Sequence, residues 1–427
     1  MNKTKTSIAY ILLDGVGDLP SHELNGLTPL EAAYTPALDA LARNGCMGQV
    51  TTVKRDIAPQ SDIAVFNMLG YDFRNQSYVG RGVIESIGCG IDFREGDLAM
   101  RGNFATLDEK REILDRRAGR NISSNEAKSI CDSLTKNIKF KDKNVSVMIQ
   151  PTVGHRVVAR FRHNKLKLSE KVTNTDPAYD KVDGIGIAKS SSYQNSIVKS
   201  EPEDHTIEAK MSARLINDFT EQTVNILKNH PINQQRIRDK KKSISCILLR
   251  DSGNKFPNLQ PIGDKYGINV ASIVDMPVEI GISKVLNMDV LESGKVDEYK
   301  KKADILSENI ANYNLIYAHI KGPDEFGHDG DPIGKKRNIE EIDKNFFANL
   351  LEEMTDSKLA IVVSADHSTP CIKKSHSADP VPLLISGNNV SKDGSARFTE
   401  KYGSKGSIGH MNGKDVIRVA MMTISQQ

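Results

Sequence analysis

Acidic and histidine side chains follow three apolar segments of the sequence, where metal chemistry would need them. One aspartate comes directly after "SIAYILL", a DxxxH pair lies in "KGPDEFGHDGD", and an aspartate–histidine pair follows "LAIVVSA". A third histidine lies shortly afterwards in "KKSHSADP". In open parallel sheets, ligands bind beyond the carboxyl ends of the strands, so these residues are predicted to share one edge. The candidates are Asp14, Asp324, His328, Asp366, His367 and His376.

These six side chains are suited to binding two divalent cations. Mixed carboxylate and imidazole ligands favour Mn, Zn or Co, whereas Mg tolerates histidine poorly. The four-residue spacing of Asp324 and His328 predicts that both lie on one side of a helical turn. Taken singly, each residue has a simpler explanation, because an aspartate after a strand is usually a turn former or helix cap. Their convergence at strand ends is what favours a shared metal site.

Ser61 is the candidate nucleophile. It lies in "APQSDIAVFNMLGYD", between a proline-containing turn and an amphipathic pattern. The simpler interpretation is that Ser61 is the N-cap of a helix. The functional interpretation is that Ser61 lies at a helix N-terminus whose backbone N–H groups favour a phosphoryl group. A serine hydroxyl is a weak nucleophile unless a base or a metal activates it, and the metal site could do so.

Continuous apolar strands alternate with helical segments at the two ends of the chain. This pattern predicts a parallel sheet covered by helices on both faces. The segment from about 76 to 260 is more polar and contains further strands and a helix over 205–229, which predicts an inserted second domain. We therefore predict a discontinuous first domain at 1–75 and 262–427, and an inserted domain at 76–261. The predicted strands include 7–13, 244–249, 268–274, 313–320, 358–363 and 381–386, and helices are predicted at 295–311 and 335–353.

Composition excludes several functional classes. The chain has 427 residues with 58 basic and 55 acidic side chains, so its net charge of +3 gives no argument for nucleic acid or an anionic membrane as partner. The apolar run near the start, "IAYILL", is too short for a spanning helix or a signal core. Five scattered cysteines without zinc-ligand spacing predict reduced thiols in a cytoplasmic protein.

Seven segments, in order over nearly the whole chain, resemble one known family. They are "LLDGVGD", "QSDIAVFNMLGYD", "GRGVIESIGCGIDFREGDLAMRGNFATLD", "DRRAGR", "KGPDEFGHDGD", "SADHST" and "HSADPVPLLI". Together they resemble the archaeal-type, cofactor-independent phosphoglycerate mutases of the alkaline phosphatase superfamily. The resemblance implies an alkaline-phosphatase-like α/β fold, with a mostly parallel sheet and helices on both faces, plus a smaller inserted α/β (α+β) domain.

The same resemblance implies a ping-pong reaction through a phosphoserine with two divalent metal ions. Mn is the expected metal, with Co, Zn or Mg as alternatives, and no 2,3-bisphosphoglycerate is needed. Ser61 would take the phosphoryl group from 3-phosphoglycerate and return it to the other hydroxyl of the retained glycerate. The implied ligand sets are Asp324, His328 and His376 for one metal, and Asp14, Ser61, Asp366 and His367 for the other.

The inserted domain would hold the substrate, since arginine matches carboxylate and phosphate with paired hydrogen bonds. Asp176, in "NTDPAY", is a candidate proton-transfer acid or base, and Lys284 could neutralise phosphoryl charge near the metals. Each arginine could equally form a surface or interdomain salt bridge, and "LLRDSGN" departs from the family's glycine-richer pattern. His155, His319 and His410 stay outside the predicted ligand set. The substrate-binding candidates are Arg156, Arg101, Arg81 and Arg250.

Three rival functions use parts of the same pattern. A metal-dependent phosphomonoesterase, or a phosphonate-cleaving relative, would share the metals and Ser61 and differ in the acceptor. A non-catalytic metal-binding scaffold would not need Ser61. A Ser-His-Asp hydrolase is disfavoured because no G-x-S-x-G motif surrounds Ser61. The preferred function has a small-molecule partner, phosphoglycerate, with no nucleic acid and no membrane, and it is compatible with a homo-oligomer.

Overall fold

The computed structural model describes residues 6–54, 58–73, 78–182, 185–189, 195–353 and 359–425. The chain divides into two compact units. The first unit comprises Met1–Asn75, Gln260–Asp275 and Leu286–Gln427, and the second comprises Gln76–Leu259 and Met276–Val285.

Fifteen named strands lie within the described residues. The strands are β1 (Ser7–Leu13), β2 (Gly45–Thr51), β3 (Leu98–Leu107), β4 (Ile113–Asp115), β5 (Val145–Pro151), β6 (Arg156–His163), β7 (Tyr179–Val182), β8 (Ile185–Ala188), β9 (Cys246–Gly253), β10 (Val270–Ile273), β11 (Asp289–Leu291), β12 (Leu315–Ile320), β13 (Leu359–Ser364), β14 (Val381–Gly387) and β15 (Gly409–Asn412).

The helices follow in the same chain order. They are α1 (Pro29–Ala32), α2 (Pro36–Arg43), α3 (Ser61–Met68), α4 (Arg81–Gly88), α5 (Ser124–Asn137), α6 (Ile207–Lys228), α7 (Pro231–Arg238), α8 (Ile262–Tyr266), α9 (Pro277–Val285), α10 (Tyr299–Asn309), α11 (Pro323–Asp329), α12 (Pro332–Ile342), α13 (Ala348–Glu353), α14 (Glu400–Gly403) and α15 (Val416–Ser425). Within the described ranges, no helix is both long and apolar enough to cross a membrane.

The first unit is built on an eight-stranded sheet in the order β11-β10-β12-β1-β13-β14-β2-β15. Its strands pair in parallel except where β14 lies antiparallel between β13 and β2. Successive residues of β1, β12 and β13 are buried without alternation, so both faces of the centre of the sheet are covered. The predicted fold class, a mostly parallel α/β sheet, is confirmed.

The second unit is an α+β structure around an antiparallel sheet. Strand β3 pairs with β4, β6 and β9, and β6 pairs with β5. One face of this sheet forms an apolar core with α5 and α6, where residues such as Phe104, Phe161 and Phe219 are fully buried. The N-terminus of α5 is fixed by a capping box between Ser123 and Glu126.

The second unit also contains α9, which the sequence division placed in the first domain. Helix α9 packs against α4 at very short range, and two glycines explain why it can. A Cβ atom at Gly88 would lie 1.8 Å from the carbonyl oxygen of Pro277, and one at Gly281 would lie 2.0 Å from that of Ile84. This contact joins residues far apart in sequence, so apolar periodicity gave no sign of it.

Candidate active site

Three neighbouring strands of the first unit bring the predicted metal ligands to one edge of its sheet. Strands β12, β1 and β13 are adjacent. Asp14 directly follows β1, Asp366 lies two residues beyond the end of β13, and α11 begins three residues after β12. Since these three strands are parallel, their carboxyl ends lie side by side. Helix α11 contains both Asp324 and His328, as their spacing predicts.

The structure gathers Asp324, His328 and His376 into a first cation cluster. One potential ligand atom from each lies within 4.8 Å of the other two. Nε2 of His376 is 3.4 Å from Oδ1 of Asp324, and Nε2 of His328 is 3.6 Å from Oδ2. Burial acts to lower the pKa of His376, but the hydrogen bond and charge of Asp324 outweigh it and raise the pKa to about 9. The carboxylate thus strongly favours a cation at this position.

Asp14, Asp366 and His367 form a second, buried cation cluster with the same spacing limit. Nε2 of His367 lies 3.2 Å from Oδ2 of Asp366 and 3.5 Å from Oδ1 of Asp14. Both of these carboxylate oxygens are buried and have no hydrogen-bond partner among the described residues. Burial and the charge of Asp14 raise the pKa of Asp366 to about 7. Buried carboxylate oxygens without donors fit a divalent cation, which would satisfy both.

Two of the three imidazoles are oriented by hydrogen bonds from Nδ1, the ring nitrogen that faces away from the carboxylates. Nδ1 of His376 donates to the carbonyl oxygen of Pro59 at 2.7 Å, and Nδ1 of His328 donates to that of Lys374 at 3.1 Å. A carbonyl can only accept, so each ring carries its proton on Nδ1 and turns Nε2 towards the carboxylates. Such outer contacts are typical of histidines that bind metals.

Thr369 links the two clusters. Its hydroxyl donates to Oδ1 of Asp324 at 2.6 Å and lies 3.0 Å from Nδ1 of His367. Because its own proton is used on Asp324, Thr369 Oγ1 accepts from the His367 N–H. The rings of His367 and His376 also stack, with centroids 3.7 Å apart. One side chain therefore sets the orientation of a ligand in each cluster.

Ser61 lies next to the second cation cluster. Its Oγ is 3.2 Å from Nε2 of His367, the same atom that faces the two carboxylates. Ser61 is the first residue of α3, and the N-cap is Gln60, which makes no side-chain capping bond. The N-cap interpretation of Ser61 is therefore wrong. Helix α3 is buried on all sides from Asp62 to Met68, so the apparent amphipathic pattern was also misleading.

Sequence reasoning missed two lysines at this edge. Lys335, fully buried, donates to Oδ2 of Asp18 at 2.8 Å and to the carbonyl oxygens of Gly17 and Thr369. It therefore ties the loop after β1 to the loop after β13. Lys321 directly follows β12, and its Nζ lies 3.0 Å from Oδ2 of Asp14. The signal for Lys321 was its place at a strand end, in the same quoted motif as Asp324.

In the second unit, strand register explains how three predicted arginines share one face. Arg101 lies opposite Arg250 in the β3–β9 pair, and Asn103 lies opposite Arg156 in the β3–β6 pair. Residues two apart on a strand, and residues directly opposite across a ladder, point to the same face. Arg101, Arg156 and Arg250 therefore lie on the face opposite the apolar core.

Helix α4 covers this face and adds a fourth arginine. Its residue Val83 packs in an apolar cluster with Ala99 of β3. Arg81 donates from Nε to Oε1 of Glu85 at 2.7 Å, and Nε of Arg101 lies 3.5 Å from the same oxygen. Burial acts to raise the pKa of Glu85, but the arginine charges lower it below its usual range. We call Arg81, Arg101, Arg156 and Arg250, with Glu85, the arginine cluster.

Asp176 is held at this cluster by two arginines. Arg116 forms a bidentate pair with it, Nε to Oδ1 at 2.9 Å and Nη2 to Oδ2 at 2.5 Å, and Arg250 donates to Oδ2 at 2.8 Å. Burial would raise the pKa of Asp176, but Arg250 and Arg116 lower it below its usual value. The carboxylate is therefore ionised at neutral pH and could accept a proton, but not donate one.

Two further residues of this region were not singled out from the sequence. Arg116 lies in the quoted motif "DRRAGR". The ring of Tyr179 lies under both guanidinium groups, with its centroid 4.2 Å from Cζ of Arg250 and 5.1 Å from Cζ of Arg116. Tyr179 is three residues beyond Asp176, but only the fold shows that it faces the arginines.

Lys284 lies on α9 in the second unit. Its Nζ donates to the carbonyl oxygens of Ile87 and Gly88, at 3.3 and 3.4 Å, at the C-terminal end of α4. A lysine at that end is favoured by the helix dipole. Its suggested role beside the phosphoryl group remains a prediction. His155 is surrounded by arginines, and burial together with Arg156 lowers its pKa to about 3, so it is neutral.

The fold and the two clusters define a class of protein: an α/β protein that can hold two cations at the carboxyl edge of its sheet, beside a serine hydroxyl. A model of the 2,3-bisphosphoglycerate-independent phosphoglycerate mutase family matches residues 42–233. The enzyme of that name from Aeropyrum pernix is 38% identical over 418 residues, covering 95% of this chain and 96% of its own. The chain belongs to this family, and the predicted resemblance is confirmed.

Two solved structures are similar over nearly their whole lengths. A Pyrococcus horikoshii protein has a TM-score of 0.77 at 28% identity, covering 99% of this chain and 98% of that one. A cofactor-independent phosphoglycerate mutase from Thermoplasma acidophilum has a TM-score of 0.61 at 27% identity, covering 98% and 100%. The similarity therefore extends over both units of the chain.

Proposed function

We propose that this protein interconverts 3-phosphoglycerate and 2-phosphoglycerate through a phosphoserine at Ser61, without 2,3-bisphosphoglycerate. The single observation that supports this most is the Ser61 hydroxyl, 3.2 Å from Nε2 of His367 at the edge of the second cation cluster. Family membership supports the overall reaction. The two cation clusters support a role in metal binding, and the arginines support a role in holding the substrate.

The two clusters fit two divalent cations. We propose Mn²⁺, with Co²⁺ or Zn²⁺ as alternatives, because the donor set mixes carboxylate and imidazole; Mg²⁺ is the last alternative, since it tolerates imidazole poorly. Asp324, His328 and His376 would hold one ion, and Asp14, Asp366, His367 and Ser61 the other. When bound, such ions lower the pKa of a hydroxyl and stabilise negative charge on phosphoryl oxygens.

Ser61 is the group that exchanges bonds. Its Oγ forms a bond to phosphorus while the bond between phosphorus and the C3 oxygen of 3-phosphoglycerate breaks. The serine proton leaves and the C3 oxygen gains one, which gives phosphoserine and glycerate. The C2 hydroxyl of glycerate then attacks phosphorus and loses its proton, the bond between phosphorus and Ser61 Oγ breaks, and Oγ regains a proton, which gives 2-phosphoglycerate and free Ser61. Asp176 accepts hydrogen bonds from Arg116 and Arg250, which lower its pKa and make it a weak base, so its proton-transfer role stays a prediction and its proposed part here is to orient these two arginines.

The arginine cluster retains glycerate between the two half-reactions. Guanidinium groups match carboxylates and phosphates with paired hydrogen bonds. The cluster has more positive than negative side chains, and burial together with Arg81 lowers the pKa of Arg101. An incoming carboxylate would relieve this repulsion. Retention is what separates a mutase from a phosphatase, since water otherwise hydrolyses the phosphoserine.

We also propose a cytoplasmic location. All five cysteines are free thiols, as expected in a reducing compartment.

The test is product analysis on the purified full-length protein. With 3-phosphoglycerate freed of the bisphosphate, we expect 2-phosphoglycerate as the main product and little inorganic phosphate. Inorganic phosphate as the main product would instead indicate a phosphomonoesterase. Treatment with a chelator should abolish activity and Mn²⁺ should restore it. Full activity after chelation, with metal loss verified by elemental analysis, would contradict the two-metal site.

A further inference from the structure

Lys321 lies inside the row of strand ends that forms the cation edge. Strands β10, β12, β1 and β13 are adjacent in the sheet. Asp275 follows β10, Lys321 follows β12, Asp14 follows β1 and Asp366 lies just beyond β13. The Lys321 side chain is only 12% exposed, and its Nζ is 3.0 Å from Oδ2 of Asp14. The ammonium group of a mostly covered side chain therefore lies directly beside a proposed metal ligand.

Because of this contact, the two carboxylate oxygens of Asp14 have different neighbours. Oδ2 faces Lys321, whereas Oδ1 faces Nε2 of His367 at 3.5 Å and has no hydrogen-bond partner among the described residues. Asp14 therefore offers one oxygen to a cation instead of two. An ammonium group so close also repels a cation at the same carboxylate.

The charge of the ligand residues shows what Lys321 could contribute. The two clusters contain three carboxylates and three histidines. Two divalent cations bring four positive charges, so with neutral histidines the ligands leave a net charge of only +1. A phosphoryl monoester near neutral pH is close to a dianion. Lys321 supplies the additional positive charge that would balance it.

We propose that Lys321 is a fixed positive charge of the active site, which weakens cation binding at Asp14 and strengthens binding of the phosphoryl dianion. Lys321 is a positioning residue for Asp14. The part of the proposal that concerns phosphoryl binding rests on the proposed function. Nothing in the ligand pattern requires a lysine there, because the two clusters are complete without it. The proposal predicts that removing the charge shifts the two affinities in opposite directions.

The experiment compares Lys321→Met, Lys321→Gln and Lys321→Arg with the wild-type protein. The protein is first freed of metal with a chelator and then titrated with Mn²⁺ in a calorimeter. In the Lys321→Met and Lys321→Gln variants one site should bind Mn²⁺ about tenfold more tightly than in the wild type, since a repulsive charge is removed. With Mn²⁺ bound, inorganic phosphate should bind about tenfold more weakly, because a charge-assisted contact is lost. Lys321→Arg keeps the charge and should stay near wild type in both titrations.

Lys300→Met is the matched control, because the Lys300 side chain is 63% exposed and its ammonium group contacts Asp304 and Asn349 in the first unit. It should change neither affinity. If Met and Gln weaken Mn²⁺ and phosphate together, Lys321 merely supports the local structure and the proposal is wrong; unchanged affinities contradict it equally. A wild type that makes no 2-phosphoglycerate would overturn the proposed function, whereas the opposite shifts in Mn²⁺ and phosphate affinity would still test Lys321.

Discussion

The two regions that the proposed reaction needs are built in opposite ways. The cation clusters of the first unit use side chains near the carboxyl ends of adjacent parallel strands, and they hold an excess of carboxylate charge, which is buried in the second cluster. The arginine cluster of the second unit uses side chains from within antiparallel strands and from α4, and it holds an excess of positive charge. Each arrangement costs stability by itself, which is typical of functional sites.

The difference predicts unequal sensitivity to substitution. In the cation clusters each side chain would be a separate metal ligand, so the loss of one should lower activity severely. In the arginine cluster several guanidinium groups would bind one substrate anion, so the loss of one arginine should be partly tolerated.

Ser61→Ala should remove nearly all mutase activity. No other group in the described site can replace a covalent nucleophile, and losses of this kind are about 10⁴–10⁶-fold in serine enzymes. The measurement is 2-phosphoglycerate formation in a coupled assay, with Ser307→Ala on α10 as control. Activity of the alanine variant within tenfold of wild type would rule out the phosphoserine.

Thr369→Val should weaken Mn²⁺ binding about 10–100-fold, the range typical of lost outer contacts to metal ligands. The valine keeps the shape but removes the hydroxyl that accepts from His367 and donates to Asp324. Thr369→Ser should restore most of the affinity. Thr220→Val is the control, since that hydroxyl donates to the carbonyl oxygen of Ile216 in its own helix of the second unit. Equal loss in the serine and valine variants would show that the methyl group matters, not the hydrogen bonds.

The same contrast explains what could be predicted from sequence. Asp14, Asp366 and His367 each come within four residues of the end of an apolar strand, so a local pattern together with the rule for parallel sheets located them. The arginines required a register that no local pattern contains: only the β3–β9 and β3–β6 ladders place Arg101, Arg250 and Arg156 on one face. There the family resemblance, not periodicity, indicated the residues.

Three differences between the expectations from sequence and the structure have separate physical causes. The domain division predicted from sequence placed α9 in the first domain, whereas α9 packs in the second unit. Its contact with α4 depends on Gly88 and Gly281, which are nearly two hundred residues apart in sequence. The N-cap interpretation of Ser61 failed because Gln60, a residue with no capping bond, takes that position. Lys335 was overlooked because lysines are usually exposed, and Lys321 was overlooked although it stands at a strand end in the same motif as Asp324.

Arg156→Ala should lower mutase activity about tenfold to a hundredfold, the effect of losing one charge-assisted contact to substrate. Glycerate should also escape more often, which leaves the phosphoserine to water. The measurement is the ratio of inorganic phosphate to 2-phosphoglycerate in one sample, and we expect it to rise. The control is Arg111→Ala, an exposed arginine of the same unit that pairs with Glu221. Lower activity with an unchanged ratio would mean that Arg156 does not retain the intermediate.

Tyr179 should give the smallest effect, because it acts only through the arginines above it. Its ring faces the guanidinium groups of Arg250 and Arg116 while Asp176 bonds them at their edges, so the two residues together fix both arginines. A cation–π contact contributes about 0.5–2 kcal/mol. Tyr179→Leu should therefore raise KM for 3-phosphoglycerate about twofold to thirtyfold and change kcat less.

The matched variant is Tyr179→Phe, which keeps the ring and removes the hydroxyl. It should leave KM near wild type, because the face of the ring supplies the attraction. A merely structural role would lower the thermal stability of both variants without separating KM from kcat. If phenylalanine raises KM as much as leucine does, the hydroxyl is the important group and the stacked ring is not. If neither variant alters KM, the arginines keep their orientation through Asp176 alone, and the arginine cluster tolerates even more change than its shared charges predict.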